Sequence, residues 1–201
     1  MSKKQIARMD NDLLALCPDT VLAVDLDGTL VRCDMLRRGL AQTLRSAPVS
    51  AMALAAALLR GGRPGLKRAV ARRAPFDPAE LPYNDAVLAL ARGWRAEGRR
   101  VVLATAADTG VARAIASHLG LFDAVHASGE AGNLKGRAKA AFLTRTYGKR
   151  GFVYAGDSSA DLHVWAEAAG AILASDDPKL RARLLRLGVP VQAIGNGLAQ
   201  S

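Results

Sequence analysis

Six short runs along the chain are almost unbroken in apolar residues: 20–26 (TVLAVDL), 100–105 (RVVLAT), 124–127, 151–155 (GFVYA), 170–174 (GAILA) and 189–194 (VPVQAI). Continuous rather than alternating apolar character predicts strands buried on both faces of a sheet. Between them, stretches 84–97, 108–119, 136–147, 160–168 and 178–187 carry apolar positions at helical spacing. Gly98, Gly120, Gly148, Gly170 and Gly188 follow these stretches as helix stops. Strands alternating with helices of this length predict an α/β fold, a Rossmann-like doubly wound parallel sheet with right-handed crossovers.

Residues 32–81 interrupt the alternation. They read as helices over 34–46, 49–60 and 65–73, divided by Pro48 and by Gly61-Gly62-Arg63-Pro64, with no strand pattern. Pro75, Pro78 and Pro82 mark a return linker. A catalytic core of residues 1–32 and 82–201 with a helical cap at 33–81 is therefore expected.

Charge sharpens this division. The formal net charge is +10, yet Arg32 to Arg73 holds ten basic residues (Arg32, Arg37, Arg38, Arg45, Arg60, Arg63, Lys67, Arg68, Arg72, Arg73) against Asp34 alone. Nearly all the excess belongs to the inserted segment. A basic segment often signals nucleic acid, but this one has almost no aromatic residues to stack on bases, which argues against that partner.

The 201 residues are 50% hydrophobic and 23% charged, which excludes a disordered chain. Aromatic residues make up only 4%, and about one residue in five is alanine, so the core is built from Ala, Leu and Val. Cys17 and Cys33 lack the spacing of a metal knuckle or disulfide framework and read as reduced thiols. No apolar run reaches the length of a membrane span, and no hydrophobic stretch follows Lys3 and Lys4. A cytoplasmic protein is expected.

The chemistry gathers where strands end. The first strand runs into Asp25-Leu26-Asp27-Gly28, and the fourth into Gly156-Asp157-Ser158-Ser159-Ala160-Asp161. In doubly wound sheets, ligands bind outside the carboxyl ends of the strands. Four carboxylates converging there repel one another unless a cation or proton intervenes, and an all-oxygen site suits Mg²⁺. The second strand ends in Thr105-Ala106-Ala107-Asp108, a hydroxyl and N–H groups at a helix start, which suits phosphate. Asn133-Leu134-Lys135-Gly136 puts a lysine at another helix start. Taken singly, Thr105 would cap a helix, and Lys135 and Lys139 would be solvated charges.

Together these residues resemble the haloacid dehalogenase superfamily. Asp25-Leu26-Asp27-Gly28-Thr29-Leu30 matches the family's first motif, Thr105 closing Val101-Val102-Leu103-Ala104 the second, Lys135 the third, and Gly156-Asp157-Ser158-Ser159-Ala160-Asp161 the acidic fourth. More narrowly, the chain is similar to the domains that some bacteria fuse ahead of UbiA-type prenyltransferases. That likeness rests on Leu81-Pro82-Tyr83-Asn84, Leu103 to Asp108, Asn133 to Gly136 and Tyr154-Ala155-Gly156-Asp157-Ser158. Ser158 stands where the family often has glycine.

The resemblance implies a Mg²⁺-dependent phosphatase. Asp25 would be the nucleophile and Asp27 the acid/base; Thr105, Ala106 and Lys135 would bind phosphate. Asp25, the main-chain carbonyl of Asp27, and Asp157 would hold the metal, with Asp161 binding it through water or orienting Lys135. The substrate would be a small phosphorylated compound. A phosphotransferase or mutase on the same core stays open, as does a non-catalytic partner of a membrane prenyltransferase. Apolar residues 49–59 beside the basic cluster also suggest peripheral contact with an anionic membrane or a polyprenyl-type phosphate. His118, His126 and His163 are scattered, Trp94 and Trp165 read as core, and Gly195-Asn196-Gly197 is a weak nucleotide signal.

Overall fold

The computed structural model describes residues 20–36, 38–40, 54–56, 58–60, 62, 65, 66, 69, 70, 76–129 and 133–194. Six strands, β1 (Val21–Val24), β2 (Val101–Asp108), β3 (Ala124–Ser128), β4 (Phe152–Gly156), β5 (Gly170–Leu173) and β6 (Val191–Ala193), form one sheet. Their order is β3-β2-β1-β4-β5-β6, with every pairing parallel, so the fold is Rossmann-like as predicted. The strand order reverses beside β1, where β4 lies against it, and that is where such sheets open a crevice.

Among the described residues, five helices cover the sheet: α1 (Asp85–Ala96), α2 (Thr109–Leu119), α3 (Arg137–Tyr147), α4 (Leu162–Trp165) and α5 (Pro178–Leu185). Alternation along each strand sorts the core into two layers. Leu22, Val24, Val101, Leu103, Val153 and Ile172 face α1 and α2, with Trp94 and Ile115 among the partners. Val21, Ala23, Val102, Ala104, Phe152, Tyr154 and Ala171 face the other way, toward Ala140, Leu143, Trp165 and Leu184 of α3, α4 and α5. Trp94 and Trp165 are both fully buried, as expected.

The helices start where their side chains can satisfy the first free N–H groups. Asn84, Asp108 and Asp177 each accept a backbone N–H two residues on, at 3.2, 2.8 and 2.8 Å. Each cap contributes about 1 kcal/mol. Gly120 ends α2 in the left-handed conformation, φ 61°. Gly170, read both as a helix stop and as the start of the 170–174 strand, opens β5. The stretch predicted as helix over 160–168 shortens to a 3-10 turn (Ser159–Asp161) and the four residues of α4. The Ala169 N–H donates to the Phe152 carbonyl at 2.8 Å, which draws the chain into the sheet before the helix can continue.

The chain leaves the sheet after Val31 and returns beside itself. Arg32 N–H donates to Pro82 O and Asn84 N–H to Leu30 O, both at 2.9 Å. The helices predicted at 34–46, 49–60 and 65–73 lie only partly within the described residues, of which 35, 36, 38–40, 54–56, 58–60, 62, 65, 66, 69 and 70 are helical. Leu54, Ala69 and Val70 form a buried cluster of their own, with Leu36, Leu40 and Leu66 against it. Leu54 of the 49–59 stretch thus has apolar partners, while Leu58 and Leu59 are exposed, Leu59 at 87%. Cys17, Arg37, Arg45, Arg63, Lys67, Arg68, Arg72, Arg73 and Gly195-Asn196-Gly197 lie outside the described residues. Among the described residues no helix is long and apolar enough to cross a membrane.

Candidate active site

Asp25 follows β1 directly and keeps the side-to-side parity of Val21 and Ala23, so its carboxylate falls on the face that α3 covers. There it meets Lys139. The Lys139 Nζ donates to Asp25 Oδ1 at 2.9 Å, and the side chains are 2% and 13% exposed. The Leu26 N–H donates to the same oxygen at 2.9 Å. Two donors on Oδ1 fix the carboxylate and direct Oδ2 elsewhere.

Asp157 and Asp161 come from the neighbouring strand end. One carboxylate oxygen from each of Asp25, Asp157 and Asp161 lies within 4.8 Å of the others. Space for this is made by Gly28, whose φ is +77° and whose Cβ, if it had one, would stand 2.1 Å from Asp157 Oδ2. Thr29 Oγ1 reaches Asp157 Oδ1 at 3.5 Å. Asp161 Oδ2 accepts the Ser158 N–H at 3.0 Å, the Ser158 hydroxyl at 2.8 Å and the Asp157 N–H at 3.3 Å. The Ser158 hydroxyl thus supplies an extra side-chain donor to this acid.

Asp27 lines the same cavity, and its Oδ1 accepts the Met35 N–H at 2.7 Å, tying it to the first helical residues of the insertion. The Asp27 carboxylate does not join the cluster of three. The cavity, about 310 Å³, is also lined by Arg32, Cys33, Asp34, Ala106, Lys135 and Ser158.

Thr105 behaves differently from its expected place at a helix start. β2 continues to Asp108, which caps α2 itself. Thr105 is fully buried on β2 and its Oγ1 accepts the Ala107 N–H at 2.9 Å; Ala106, not Thr105, faces the cavity. The hydroxyl therefore shapes the turn that presents Ala106.

The two lysines separate as well. Lys135 is exposed at the cavity, one helical turn before Lys139. Lys139 is not a solvated charge: it is buried and paired with Asp25. The signal for it was available, since Lys139 lies four residues before Leu143 on the buried stripe of α3, next to Ala140. Tyr154 opens one of the stretches that carry the narrower resemblance, but nothing in the sequence assigned it to the site. Its hydroxyl accepts from Lys139 Nζ at 2.7 Å and donates to Asp161 Oδ1 at 2.8 Å. Asp161 is thereby linked to Lys139 through Tyr154 rather than to Lys135. Of the histidines, His126 bonds Tyr147 and His118 stacks on Tyr83, structural roles as expected.

Crowding raises the acids. Burial pushes the Asp25 carboxyl up against the opposing pull of Lys139, and Asp161 adds to the rise. Burial, then Asp161 and Asp25, push Asp157 up to about 7. An oxygen-only cluster that resists ionising together, with a glycine cleared beside it, fits a hard divalent cation such as Mg²⁺.

A pH dependence follows. In the metal-free protein Asp157 keeps its proton up to about pH 7, whereas the unfolded chain releases it near pH 4. The stability from this group is complete below about pH 4, declines as pH rises, and is lost above about pH 7. Chelated protein should therefore melt higher near pH 5.5 than near pH 8, and Asp157→Asn should flatten the difference. Mg²⁺ should raise the melting temperature most at the alkaline end, its affinity weakening as pH falls below about 7. A thermal-shift series in which chelated protein is equally stable at both pH values contradicts the crowding.

Residues 22–165 match the family model of the haloacid dehalogenase-like hydrolases. The uncharacterized protein y4nM of Sinorhizobium fredii (strain NBRC 101917 / NGR234) is 40% identical over 173 residues, 86% of this chain. The match covers 33% of that relative, so the chain spans about a third of its length. Among solved structures, a protein of unknown function from Bordetella pertussis Tohama I is 20% identical, with a TM-score of 0.59 over 86% of this chain and 97% of that one. A phospho-aspartyl intermediate analogue of phosphoserine phosphatase is 15% identical, with a TM-score of 0.57 over 88% and 93%. At these identities the two structures share the fold.

Proposed function

Because the chain belongs to the haloacid dehalogenase-like hydrolases, we propose that it hydrolyses a small anionic or amphiphilic phosphomonoester through an aspartyl-phosphate on Asp25. The observation that carries this reading is the buried Asp25–Lys139 ion pair, set against Asp157 and Asp161 in a cavity that Asp27 also lines.

In the first step an oxygen of Asp25 attacks phosphorus, the bond to the leaving oxygen breaks, and Asp27 gives that oxygen its proton. In the second, Asp27 takes a proton from water, whose oxygen attacks phosphorus. Phosphate leaves and Asp25 is regenerated. Lys139 holds Oδ1, which leaves the second oxygen aimed at the substrate. Ala106 and Lys135 line the cavity where the phosphate oxygens would lie, with Thr105 holding the turn behind them. Asp25, Asp157 and the Asp27 carbonyl would hold Mg²⁺, with Asp161 beside them. When bound, the cation offsets the charge of a phosphate and a carboxylate brought together.

A screen of phosphorylated metabolites with and without Mg²⁺ tests the reading. Release of inorganic phosphate from at least one class, lost on exhaustive chelation, is expected. Transfer to an alcohol acceptor in place of water would shift the reading to a phosphotransferase; full activity after chelation would overturn the metal assignment.

The likeness to domains fused to UbiA-type prenyltransferases rests on four short stretches, around Tyr83, Thr105, Lys135 and Asp157. With it goes the proposal that the basic segment 32–73, beside exposed Leu58 and Leu59, touches anionic lipid. Co-sedimentation with anionic vesicles should fall with added salt and on replacing Lys67, Arg68, Arg72 and Arg73 with Gln. No binding at low salt rules the contact out.

A further inference from the structure

The phenol of Tyr154 stands where a side chain with one proton to give and one lone pair to offer can join two charged groups that do not touch. Its oxygen accepts from the Lys139 ammonium at 2.7 Å and donates to Asp161 Oδ1 at 2.8 Å. The direction of this chain is set by chemistry, since an ammonium can only donate and a carboxylate only accept. Lys139 spends another proton on Asp25 Oδ1 at 2.9 Å. One buried cation thus reaches Asp25 directly and Asp161 through the phenol.

The surroundings are shaped for this ring. Tyr154 lies on β4 between Ala23 of β1 and Ala171 of β5, whose small side chains leave room for it. Trp165 meets it edge-on, ring centroids 6.2 Å apart, and the Trp165 Nε1–H donates to the Tyr154 carbonyl at 2.9 Å. Two residues on, Gly156 leaves open a space that a Cβ would fill at 2.8 Å from both Asp161 Cγ and Tyr154 Cε1. Any side chain at 156 would push the acid and the ring apart.

The geometry points to Tyr154 as a positioning residue that locks Lys139 and Asp161 together, so that the cation site and the nucleophile share one fixed frame. The inference rests on the reading above for what Asp25 does, but its metal-binding arm does not depend on turnover. Groups behind metal ligands typically change metal affinity or activity 10–100-fold when removed.

Tyr154→Phe keeps the ring and deletes the oxygen. Titrating chelated protein with Mg²⁺ in a calorimeter should show binding weakened by about tenfold or more. On whatever substrate the wild-type chain turns over, kcat should fall by a similar factor with KM little changed. Trp165→Phe, which removes a neighbouring bond in the same layer, should lower the melting temperature and leave Mg²⁺ affinity alone. If Tyr154→Phe loses thermal stability but keeps wild-type Mg²⁺ affinity, the residue is only core and the proposal is overturned. Should the variant fail to fold, the wild-type protein still decides. Its Tyr154 hydroxyl proton, held in the bond to Asp161 Oδ1, should give a slowly exchanging resonance that shifts with Mg²⁺. A proton exchanging as fast as that of a free phenol, and indifferent to Mg²⁺, overturns the proposal equally. If wild type binds Mg²⁺ but hydrolyses nothing, the phosphatase reading fails while the positioning role stands on the metal data.

Discussion

Replacing Asp25 with Asn should lower kcat by roughly four orders of magnitude or more, because an amide of the same shape is not a nucleophile toward phosphorus. The fold should survive. The carbonyl oxygen of the new amide can still accept from Lys139 and from the Leu26 N–H, the two contacts that hold the native carboxylate. One negative charge also leaves a cluster in which Asp157 is already pushed up to about 7 by its neighbours. The paired measurements are phosphate release and circular dichroism. A well-folded Asp25→Asn protein with native turnover would remove Asp25 from the mechanism.

The second large effect separates the two lysines. Lys139→Met fills nearly the same volume but strands Asp25 without its cation in a buried setting. Breaking a buried pair in this way costs about 3–5 kcal/mol, and we expect chelated protein to melt far lower. Turnover should fall roughly a hundredfold or more, because the nucleophile loses the group that orients it. Lys135→Gln should be mild in both respects. Its side chain is exposed at the cavity rather than paired with Asp25, so a higher KM with melting temperature unchanged is expected. If instead Lys135→Gln stops turnover and Lys139→Met is tolerated, the orienting role passes to Lys135.

The difference between these lysines shows how far the chain could be read unaided. Lys135 stands beside Gly136 in a recognisable stretch and draws attention. Lys139 hides among alanines, and its meaning depends on the strand across from it. Thr105 is a similar case. Its identity and its place near the end of β2 were readable, but the bulge between Thr105 and Asp108 in the pairing with β3 sends Ala106 to the cavity instead.

What the sequence by itself determined is the α/β architecture and the acids at two strand ends. All of these are local: apolar runs, helix periods, glycine stops and the spacing of Asp25, Asp27, Asp157 and Asp161 are written in neighbouring residues. Only the tertiary structure decided which groups share a charge. Lys139 and Asp25 are 114 residues apart, and parallel pairing of β1 with β4 is what brings Asp157 beside Asp25. Parity on β4 then turns Tyr154 into the same layer as Lys139. A hydrogen bond of 2.7 Å depends on register and packing across several elements at once, and no local pattern encodes that distance.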